Sequence, residues 1–255
     1  MKKGSVMAKE WVQSEDGSYT AYSSEYDEHY HSTKDGALNE SLKKHIEPAF
    51  TLHGEKDHLR LIDICFGLGF NTLLSLYWRD TYYPDTTLEI YSPELDGDLV
   101  ASLVDFPYPD IFEPYKNIIT DIATLGGYED ERTVISVDIM DARVAMRELE
   151  GEWDICYQDA FSPSVNPVLW TREYFADIAR LMGEDGIVTT YSTALATRLA
   201  LYENGLNVYL NSGEGYRNAT IASKRELIDY GKVDMAHKIA CNPDVKSLSD
   251  ESLDI

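Results

Sequence analysis

The sequence predicts an α/β protein with a mainly parallel sheet that is covered by helices on both faces. Three observations support this fold class. Short apolar runs alternate with segments of helical spacing five times, two further strand-like runs follow one another near residue 220, and the first core strand leads directly into a glycine-rich turn. Alternating strands and helices form parallel sheets through right-handed crossovers. We therefore predict a Rossmann-like domain with a seven-stranded sheet.

The chain of 255 residues divides by pattern into three parts. Residues 1–50 form an N-terminal extension of short strands and a helix, residues 51–230 form the core domain, and residues 231–255 form a polar, acidic tail. The helix of the extension spans residues 37–50, and Pro48 is expected to bend or end it. We expect the tail to be disordered, because it contains few residues that can be buried.

The core elements are predicted from their hydrophobic periodicity. The strands are expected at residues 59–65, 88–94, 133–137, 153–158, 187–192, 206–210 and 219–223. The intervening helices are expected to begin near Thr72 and at residues 95, 115, 143, 169 and 194. The glycines of the segment 183–186 are expected to form a turn before the fifth strand.

Composition points to a globular protein of the cytoplasm. The hydrophobic fraction is 44%, and no apolar run approaches the roughly 20 residues that span a bilayer. Residues 1–9 are basic but contain no apolar stretch of signal-peptide length. Cys65, Cys156 and Cys241 form no CxxC pair, and His29 and His31 have no third ligand nearby. We therefore expect no disulfide, no metal and no contact with a membrane.

The charge bears on the possible partners. The chain has 22 basic and 45 acidic residues, which gives a formal net charge of −23. Nucleic acids bind to Lys and Arg through the release of counterions, so a field of this sign opposes RNA binding at long range. An RNA partner therefore requires a local basic face.

The turn after the first core strand has the sequence Phe66-Gly67-Leu68-Gly69-Phe70 and precedes a helix. A strand, a Gly-x-Gly turn and a helix bring backbone N–H groups close to a ligand. The third glycine of a dinucleotide-binding fingerprint is missing, which argues against a pyrophosphate ligand. The loop suits a ligand without phosphate, such as S-adenosylmethionine.

Acidic residues follow the next two strands. Glu94 ends the second strand, where a carboxylate can accept hydrogen bonds from both ribose hydroxyls of an adenosine ligand, and Asp96 is the competing candidate. Asp141 follows the third strand and is placed to bind an adenine amino group. Asp138 is expected to end that strand or to cap the next helix.

The fourth strand ends in Asp159, which is followed by Ala160, Phe161, Ser162 and Pro163. A carboxylate accepts N–H bonds and an aromatic ring offers a flat surface, so this loop can hold an amine and stack a planar ring. The structural alternative is an ordinary strand end that caps a helix.

Four motifs resemble the methyltransferase half of the bifunctional tRNA-modification enzymes of the MnmC family. They are SEYDEHY at residues 24–30, FGLGFN at residues 66–71, DAFSP at residues 159–163 with the pairs at 166–167 and 170–171, and YSTA at residues 191–194 with Arg198. The resemblance extends over residues 24–223. It implies a class I methyltransferase fold with a small N-terminal β extension. The FAD-binding oxidase half has no counterpart in the sequence, so we expect the stand-alone form.

The resemblance also implies an activity, which is methylation of the exocyclic amine of 5-aminomethyl-type uridine at the wobble position of tRNA, with S-adenosylmethionine as the donor. By match of motif, the residues that hold the cofactor are Gly67, Gly69, Asn71, Glu94 and Asp141. Asp159 and Phe161 hold the acceptor, either with Asp159 as the base or with Asp159 only orienting the amine. The matching motifs place Tyr30, Ser162 and Arg198 at the substrate.

The chain departs from the family pattern at Val165, where a basic residue often precedes the Asn-Pro pair. The basic residues near the closing strands are expected to form a rim that faces RNA; they are Arg198, Arg217, Lys224, Arg225, Lys232 and Lys238. Two alternatives stay open. One is methyl or aminopropyl transfer to a small amine, which the acidic surface favours, and the other is a non-catalytic protein that binds S-adenosylmethionine.

Overall fold

The structure, a computed structural model, describes residues 11–255. Its strands are β1 Trp11–Gln13, β2 Tyr19–Ser23, β3 Glu28–His29, β4 His58–Ile64, β5 Thr87–Glu94, β6 Gly127–Glu129, β7 Thr133–Ile139, β8 Trp153–Gln158, β9 Met182–Thr190, β10 Asn207–Asn211, β11 Ala219–Ser223 and β12 Gly231–Lys232. Residues 1–9, where no export signal was predicted, lie outside the described part of the chain.

The α-helices are α1 Ala37–Ser41, α2 Glu47–His53, α3 Phe70–Tyr82, α4 Gly97–Ser102, α5 Lys116–Leu125, α6 Ala142–Glu148, α7 Arg172–Leu181, α8 Leu195–Glu203 and α9 Met235–Cys241. The segment Leu42–Ile46 between α1 and α2 is π-helical. Short 3-10 helices lie at Leu103–Asp105, Asp110–Tyr115, Pro167–Trp170 and Glu251–Leu253.

The main sheet has, within residues 11–255, nine strands in the order β12-β10-β11-β9-β8-β4-β5-β7-β6. Strands β9, β8, β4, β5 and β7 are parallel neighbours, and β11 is antiparallel to both β9 and β10. The predicted mainly parallel sheet of a class I methyltransferase is therefore confirmed. The two added edge strands, β6 and β12, have three and two residues, which is too short to show a periodic pattern.

Side chains pack on both faces of the main sheet. Phe50, Phe70 and Phe112 belong to the core cluster on one face, and Trp170 and Phe175 belong to the cluster on the other. All five are buried. Strands with apolar residues on both sides form near-continuous apolar runs, which explains why the parallel strands could be located from sequence.

The N-terminal extension contains a separate antiparallel sheet in the order β1-β2-β3, followed by the helical segment from α1 to α2. Pro48 was predicted to bend or end the helix. It does not end the helix, because the helix continues to His53. Pro48 lies in the first turn of α2, directly after the π-helical segment. A proline is tolerated in a first turn, where its missing N–H is not required.

Two further predictions are corrected. The predicted turn at residues 183–186 lies inside β9, where the pairing with β8 shifts register. The tail was predicted to be disordered, but it contains β12, α9 and a bridge between Leu248 and Thr171. The Asp250 carboxylate also pairs with Arg143 of α6. Within residues 11–255, none of the helices combines the length and the apolar character that a bilayer crossing requires.

Candidate active site

A cavity of about 1040 Å³ lies at the carboxyl edge of the parallel strands. The strand registers pair Ile64 with Gln158 and Glu94 with Ile139, so the loops after β4, β5, β7 and β8 begin side by side. Eight of the ten site residues predicted from sequence line this cavity: Tyr30, Gly67, Asn71, Glu94, Asp141, Asp159, Phe161 and Ser162. Gly69 and Arg198 are absent from its lining among the described residues.

The turn after β4 brings backbone close to the cavity. Cys65, Gly67 and Gly69 have φ angles of 65°, 55° and 74°. Cys65 is the informative residue, because a side chain at positive φ stores strain that surrounding structure must hold, and such strain often marks a functional site. Gly69 adopts the left-handed conformation before α3, and a Cβ there would lie 2.9 Å from the Phe66 ring. Its role is therefore to begin the helix.

The Glu94 carboxylate is buried at the end of β5. Oε2 accepts a hydrogen bond from the Gly67 N–H at 2.8 Å, and Oε1 accepts one from the Asp96 N–H at 2.8 Å. Burial raises the pKa of this carboxyl above its usual value, although the two backbone donors partly oppose the shift. Each carboxylate oxygen keeps a lone pair for a further donor from the cavity.

Asp141 lines the same cavity and caps α6. Its side chain accepts a hydrogen bond from the Arg143 N–H at 2.7 Å. Asp138, which was predicted to end the strand or to cap the next helix, is the next-to-last residue of β7, so the first alternative is confirmed. Asp141 is the residue that caps α6, and it also lines the cavity.

Asp159 is held by a network of buried polar groups. Asn71 Nδ2 donates to Asp159 Oδ2 at 2.9 Å and lies 3.3 Å from Asp63 Oδ1. His45 Nε2 lies 3.5 Å from Asp159 Oδ1, and His45 Nδ1 lies 2.7 Å from the Thr189 hydroxyl. These contacts place the Asp159 carboxylate at the cavity wall in a defined orientation.

The two carboxyl groups of this network have opposite shifts. Burial raises the pKa of Asp63 to about 8, with the Thr72 and Asn71 hydrogen bonds partly opposing it. Burial would also raise the pKa of Asp159, but His45, His31 and Asn71 together hold it below its usual value. At neutral pH Asp63 is therefore mostly protonated and Asp159 is ionised.

Aromatic rings form the wall next to Asp159. The Phe161 ring stacks on Tyr26 with 4.6 Å between centroids and contacts Tyr30 at 5.0 Å. The Phe161 carbonyl accepts a hydrogen bond from the indole of the buried Trp170 at 2.8 Å. The loop is therefore anchored from both the N-terminal extension and the core, and its ring presents a flat apolar surface.

Ser162 lies in the cavity lining as predicted but also makes a contact that the sequence did not predict, whereas Arg198 lies elsewhere. The Ser162 N–H and hydroxyl both donate to the Glu28 carboxylate, so Ser162 joins the loop to the N-terminal extension. Arg198 lies in a separate small pocket and donates from Nε to the Thr220 hydroxyl at 3.0 Å. The structure does not bring Arg198 to the cavity with the other predicted substrate residues.

Comparisons of sequence and of structure relate this chain to known proteins. A family model described as S-adenosyl-L-methionine-dependent methyltransferase matches residues 109–226. The crystal structure of MNMC2 from Aquifex aeolicus superimposes with a TM-score of 0.85 and 30% sequence identity, over 97% of this chain and 81% of that chain. This chain belongs to the MnmC-type family of methyltransferases.

This chain matches a smaller share of the length of other relatives. An uncharacterised protein of Methanocaldococcus jannaschii is 28% identical over 217 residues, which are 84% of this chain and 59% of that protein. The tRNA 5-methylaminomethyl-2-thiouridine biosynthesis bifunctional protein MnmC of Paraburkholderia xenovorans is 27% identical over 226 residues, which are 80% of this chain and 33% of that protein. The chain thus spans about a third of that bifunctional relative.

The cofactor of this MnmC-type methyltransferase is S-adenosylmethionine, and the cavity fits it. Asn71 Oδ1 is buried without a hydrogen-bond partner, so the site offers an unused acceptor for an N–H donor. Gly67 has a φ of 55°, a conformation that favours glycine, and Tyr30 lies in van der Waals range of the position that a Cβ there would take. No group of three or more metal-ligating side chains is found within residues 11–255.

Sequence reasoning missed the role of three residues at this site, which are Glu28, His45 and Asp63. Each had a signal. His45 fell on the buried face of the predicted helix, where a titratable side chain requires a partner, and Asp63 interrupts an apolar strand. Their partners lie on other elements, which the sequence does not bring together.

Proposed function

We propose that this enzyme transfers a methyl group from S-adenosylmethionine to the primary amine of 5-aminomethyl- or 5-aminomethyl-2-thiouridine at the wobble position of tRNA. The observation that carries the proposal is the pairing of an ionised carboxylate, Asp159, with the aromatic surface of Phe161 on one cavity wall. A carboxylate binds an amine and an aromatic ring stacks on a base. The relative from Paraburkholderia xenovorans, a tRNA 5-methylaminomethyl-2-thiouridine biosynthesis protein, supports the same acceptor.

The proposed cofactor site uses the loops after β4, β5 and β7. Glu94 accepts hydrogen bonds from the ribose hydroxyls, Asp141 accepts one from the adenine amino group, and Asn71 Oδ1 accepts one from an ammonium group. The unused lone pairs of Glu94 and the unpaired Asn71 oxygen support this assignment. Gly67 supplies close backbone approach, and Gly69 contributes only by shaping the turn.

S-adenosylmethionine supplies a methyl group on a positively charged sulfur, so that the amine lone pair forms the N–C bond while the C–S bonding pair returns to sulfur. The acceptor ammonium must first lose one proton, and the methylated product carries the charge as a secondary ammonium. Since Asp159 has a lowered pKa, it is a weak base. We therefore assign it the role of holding and orienting the amine, while the departing proton passes to water.

Positioning supplies most of the rate in such a transfer, because the nitrogen and the methyl carbon must approach within about 3–3.5 Å in line. The loop anchors serve this purpose. Trp170 and Glu28 hold the backbone of Phe161 and Ser162, so the acceptor ring and its amine are aligned together. Tyr30 contacts Phe161 and extends the aromatic surface.

The tRNA approaches, in this proposal, over the cavity mouth. Arg217 lies there with 71% of its side chain exposed, although its guanidinium pairs with Asp35. Against a net charge of −23, a basic group at the mouth attracts phosphate only at short range. This tRNA substrate agrees with the cytoplasmic location predicted from sequence.

The decisive experiment measures transfer of labelled methyl to tRNA from cells that lack this protein, followed by nucleoside analysis. We expect methylated aminomethyluridine. Asp159→Asn should lower turnover by about 100-fold or more, with unchanged affinity for S-adenosylmethionine, because orientation of the amine is lost. The matched control is Asp154→Asn, which lies on β8, the strand that leads to Asp159, but pairs with Lys56 and is absent from the cavity lining. Arg217→Glu should weaken tRNA binding and reduce its salt dependence.

Methyl transfer to a small amine is the competing outcome. Acidic side chains in the cavity favour it, but Glu28 is already bonded to Ser162, and Glu40 is bonded to Lys44. These partners leave fewer free charges for a polycation. If the protein binds S-adenosylmethionine and transfers the methyl group to a polyamine but not to tRNA, the substrate is a small amine and the tRNA proposal is wrong.

A further inference from the structure

His45 is a fully buried imidazole on the π-helical segment, 0% exposed, and it belongs to no motif of the sequence analysis. Both ring nitrogens face polar atoms on other elements. We propose that His45 is a positioning residue for methyl transfer, which fixes the Asp159 carboxylate in the orientation that receives the acceptor amine. This inference rests on the proposed function, in which Asp159 contacts the amine.

The direction of the contacts follows from the donor inventory. An ionised carboxylate only accepts hydrogen bonds, so the nitrogen that faces Asp159 must carry a proton. His45 Nε2 is that nitrogen: it lies 3.5 Å from Asp159 Oδ1, a charge contact longer than a hydrogen bond, and it has no hydrogen-bond partner within residues 11–255. His45 Nδ1 lies 2.7 Å from the Thr189 hydroxyl, and this hydrogen bond fixes the ring plane.

His45 and Asn71 hold the two oxygens of the same carboxylate. Asn71 Nδ2 donates to Oδ2 at 2.9 Å, while His45 faces Oδ1. The Asn71 hydrogen bond restrains one oxygen of the carboxyl group, the longer charge contact with His45 restrains the other, and 10% of the Asp159 side chain remains exposed toward the cavity. A carboxylate with one restraint can rotate about its Cβ–Cγ bond, so removal of His45 would free the oxygen that meets the amine.

His45 also maintains the charge of Asp159. Burial alone would raise the pKa of this carboxyl, and His45 is the largest opposing influence. The other groups around Asp159 are His31 after β3, Asp63 and Cys65 at the end of β4, Asn71 on α3, and Tyr191 after β9. Of these, His31 and Asn71 lower the pKa of Asp159. Loss of His45 should therefore raise it.

The test compares His45→Phe, His45→Gln and the wild type in the full chain. Phenylalanine keeps a ring but removes both nitrogens, while the glutamine amide can still donate to Asp159. We expect His45→Phe to lower kcat for methyl transfer to tRNA on the order of 10- to 100-fold, while the KM for S-adenosylmethionine stays within about twofold. The acid limb of its pH–rate profile should move to higher pH, and His45→Gln should recover most of the lost rate.

The matched control is His53→Phe. His53 is a second buried histidine, 2% exposed, on the neighbouring helix α2; within residues 11–255 neither ring nitrogen has a hydrogen-bond partner, and His53 has no place in the cavity lining. Its replacement should leave kcat and the pH–rate profile unchanged. Equal losses in His45→Phe and His53→Phe, or a loss in His45→Phe that glutamine does not recover, would assign His45 a merely structural role.

A measurement without any acceptor separates this inference from the proposed function. The Asp159 carboxyl carbon can be titrated by ¹³C NMR, with its signal assigned by its absence in Asp159→Asn. We expect its pKa to be higher in His45→Phe than in the wild type. An unchanged titration would overturn the inference, whereas a wild type that fails to methylate tRNA would overturn the proposed substrate and leave this result standing.

Discussion

Replacing Glu94 with glutamine should weaken the binding of S-adenosylmethionine by about 10- to 100-fold. Glu94 is only 7% exposed, and its two oxygens accept one backbone N–H each, from Gly67 and from Asp96, at 2.8 Å. A glutamine presents one oxygen and one NH₂ group, so its NH₂ group must face either a backbone donor or a ribose hydroxyl that donates. The substitution therefore removes at least one favourable contact.

The magnitude follows from the kind of contact that is lost. Hydrogen bonds to a charged group contribute about 1.5–3 kcal/mol each. Because about 1.4 kcal/mol corresponds to a factor of ten in the dissociation constant, one lost bond gives the stated range. Calorimetry with S-adenosylmethionine measures this directly, and it requires no acceptor.

The pH dependence gives a second check on Glu94. Burial raises the pKa of its carboxyl, so the wild type loses the negative charge as the pH falls through that raised pKa. The affinity for S-adenosylmethionine should therefore decline toward acid in the wild type, whereas Glu94→Gln should lack this contribution to the decline. Both effects require that the ionised Glu94 carboxylate accepts hydrogen bonds from the ribose hydroxyls.

The matched control for this prediction is Glu89→Gln. Glu89 lies on the same strand, β5, but pairs with Arg60 and is absent from the cavity lining. Its substitution should leave the affinity within about twofold of the wild type. A Glu94→Gln variant that binds S-adenosylmethionine as tightly as the wild type would refute the assignment of Glu94 to the ribose.

Two further predictions concern stability. Burial raises the pKa of Asp63 to about 8, above the unfolded value of about 3.9, so its contribution to stability is full below about pH 4 and is lost as the pH rises to about 8. Urea denaturation should show the wild type losing stability relative to Asp63→Asn between pH 5 and pH 8, and an equal difference at both pH values would contradict the shift. Gly69→Ala should destabilise the protein by about 1–2 kcal/mol because of the positive φ, and by a further amount because the added Cβ contacts Phe66. The control is Gly205→Ala: Gly205 has a φ of 80°, but, its chain neighbours aside, none of residues 11–255 lies within 4 Å of the added Cβ. Thermal unfolding of this control should show only the effect of the positive φ.

The sequence determined the parallel core and most of the cavity edge. Buried parallel strands are near-continuous apolar runs, so β4, β5, β7 and β8 could be recognised individually, and the residues after them had to meet at one edge. Glu94, Asp141 and Asp159 were placed in this way. Their place at this edge could be predicted because it depends on the pattern of one element and on the geometry that all parallel sheets share.

The tertiary structure alone decided which side chains hold these groups in place. His45 meets Thr189 across 144 residues of sequence, and Glu28 meets Ser162 across 134. The tail is ordered although its composition is polar, because its partners Thr171 and Arg143 lie on the core. Periodicity reports whether a residue is buried, but the partner of a buried polar group depends on how distant elements pack, and no local pattern records that.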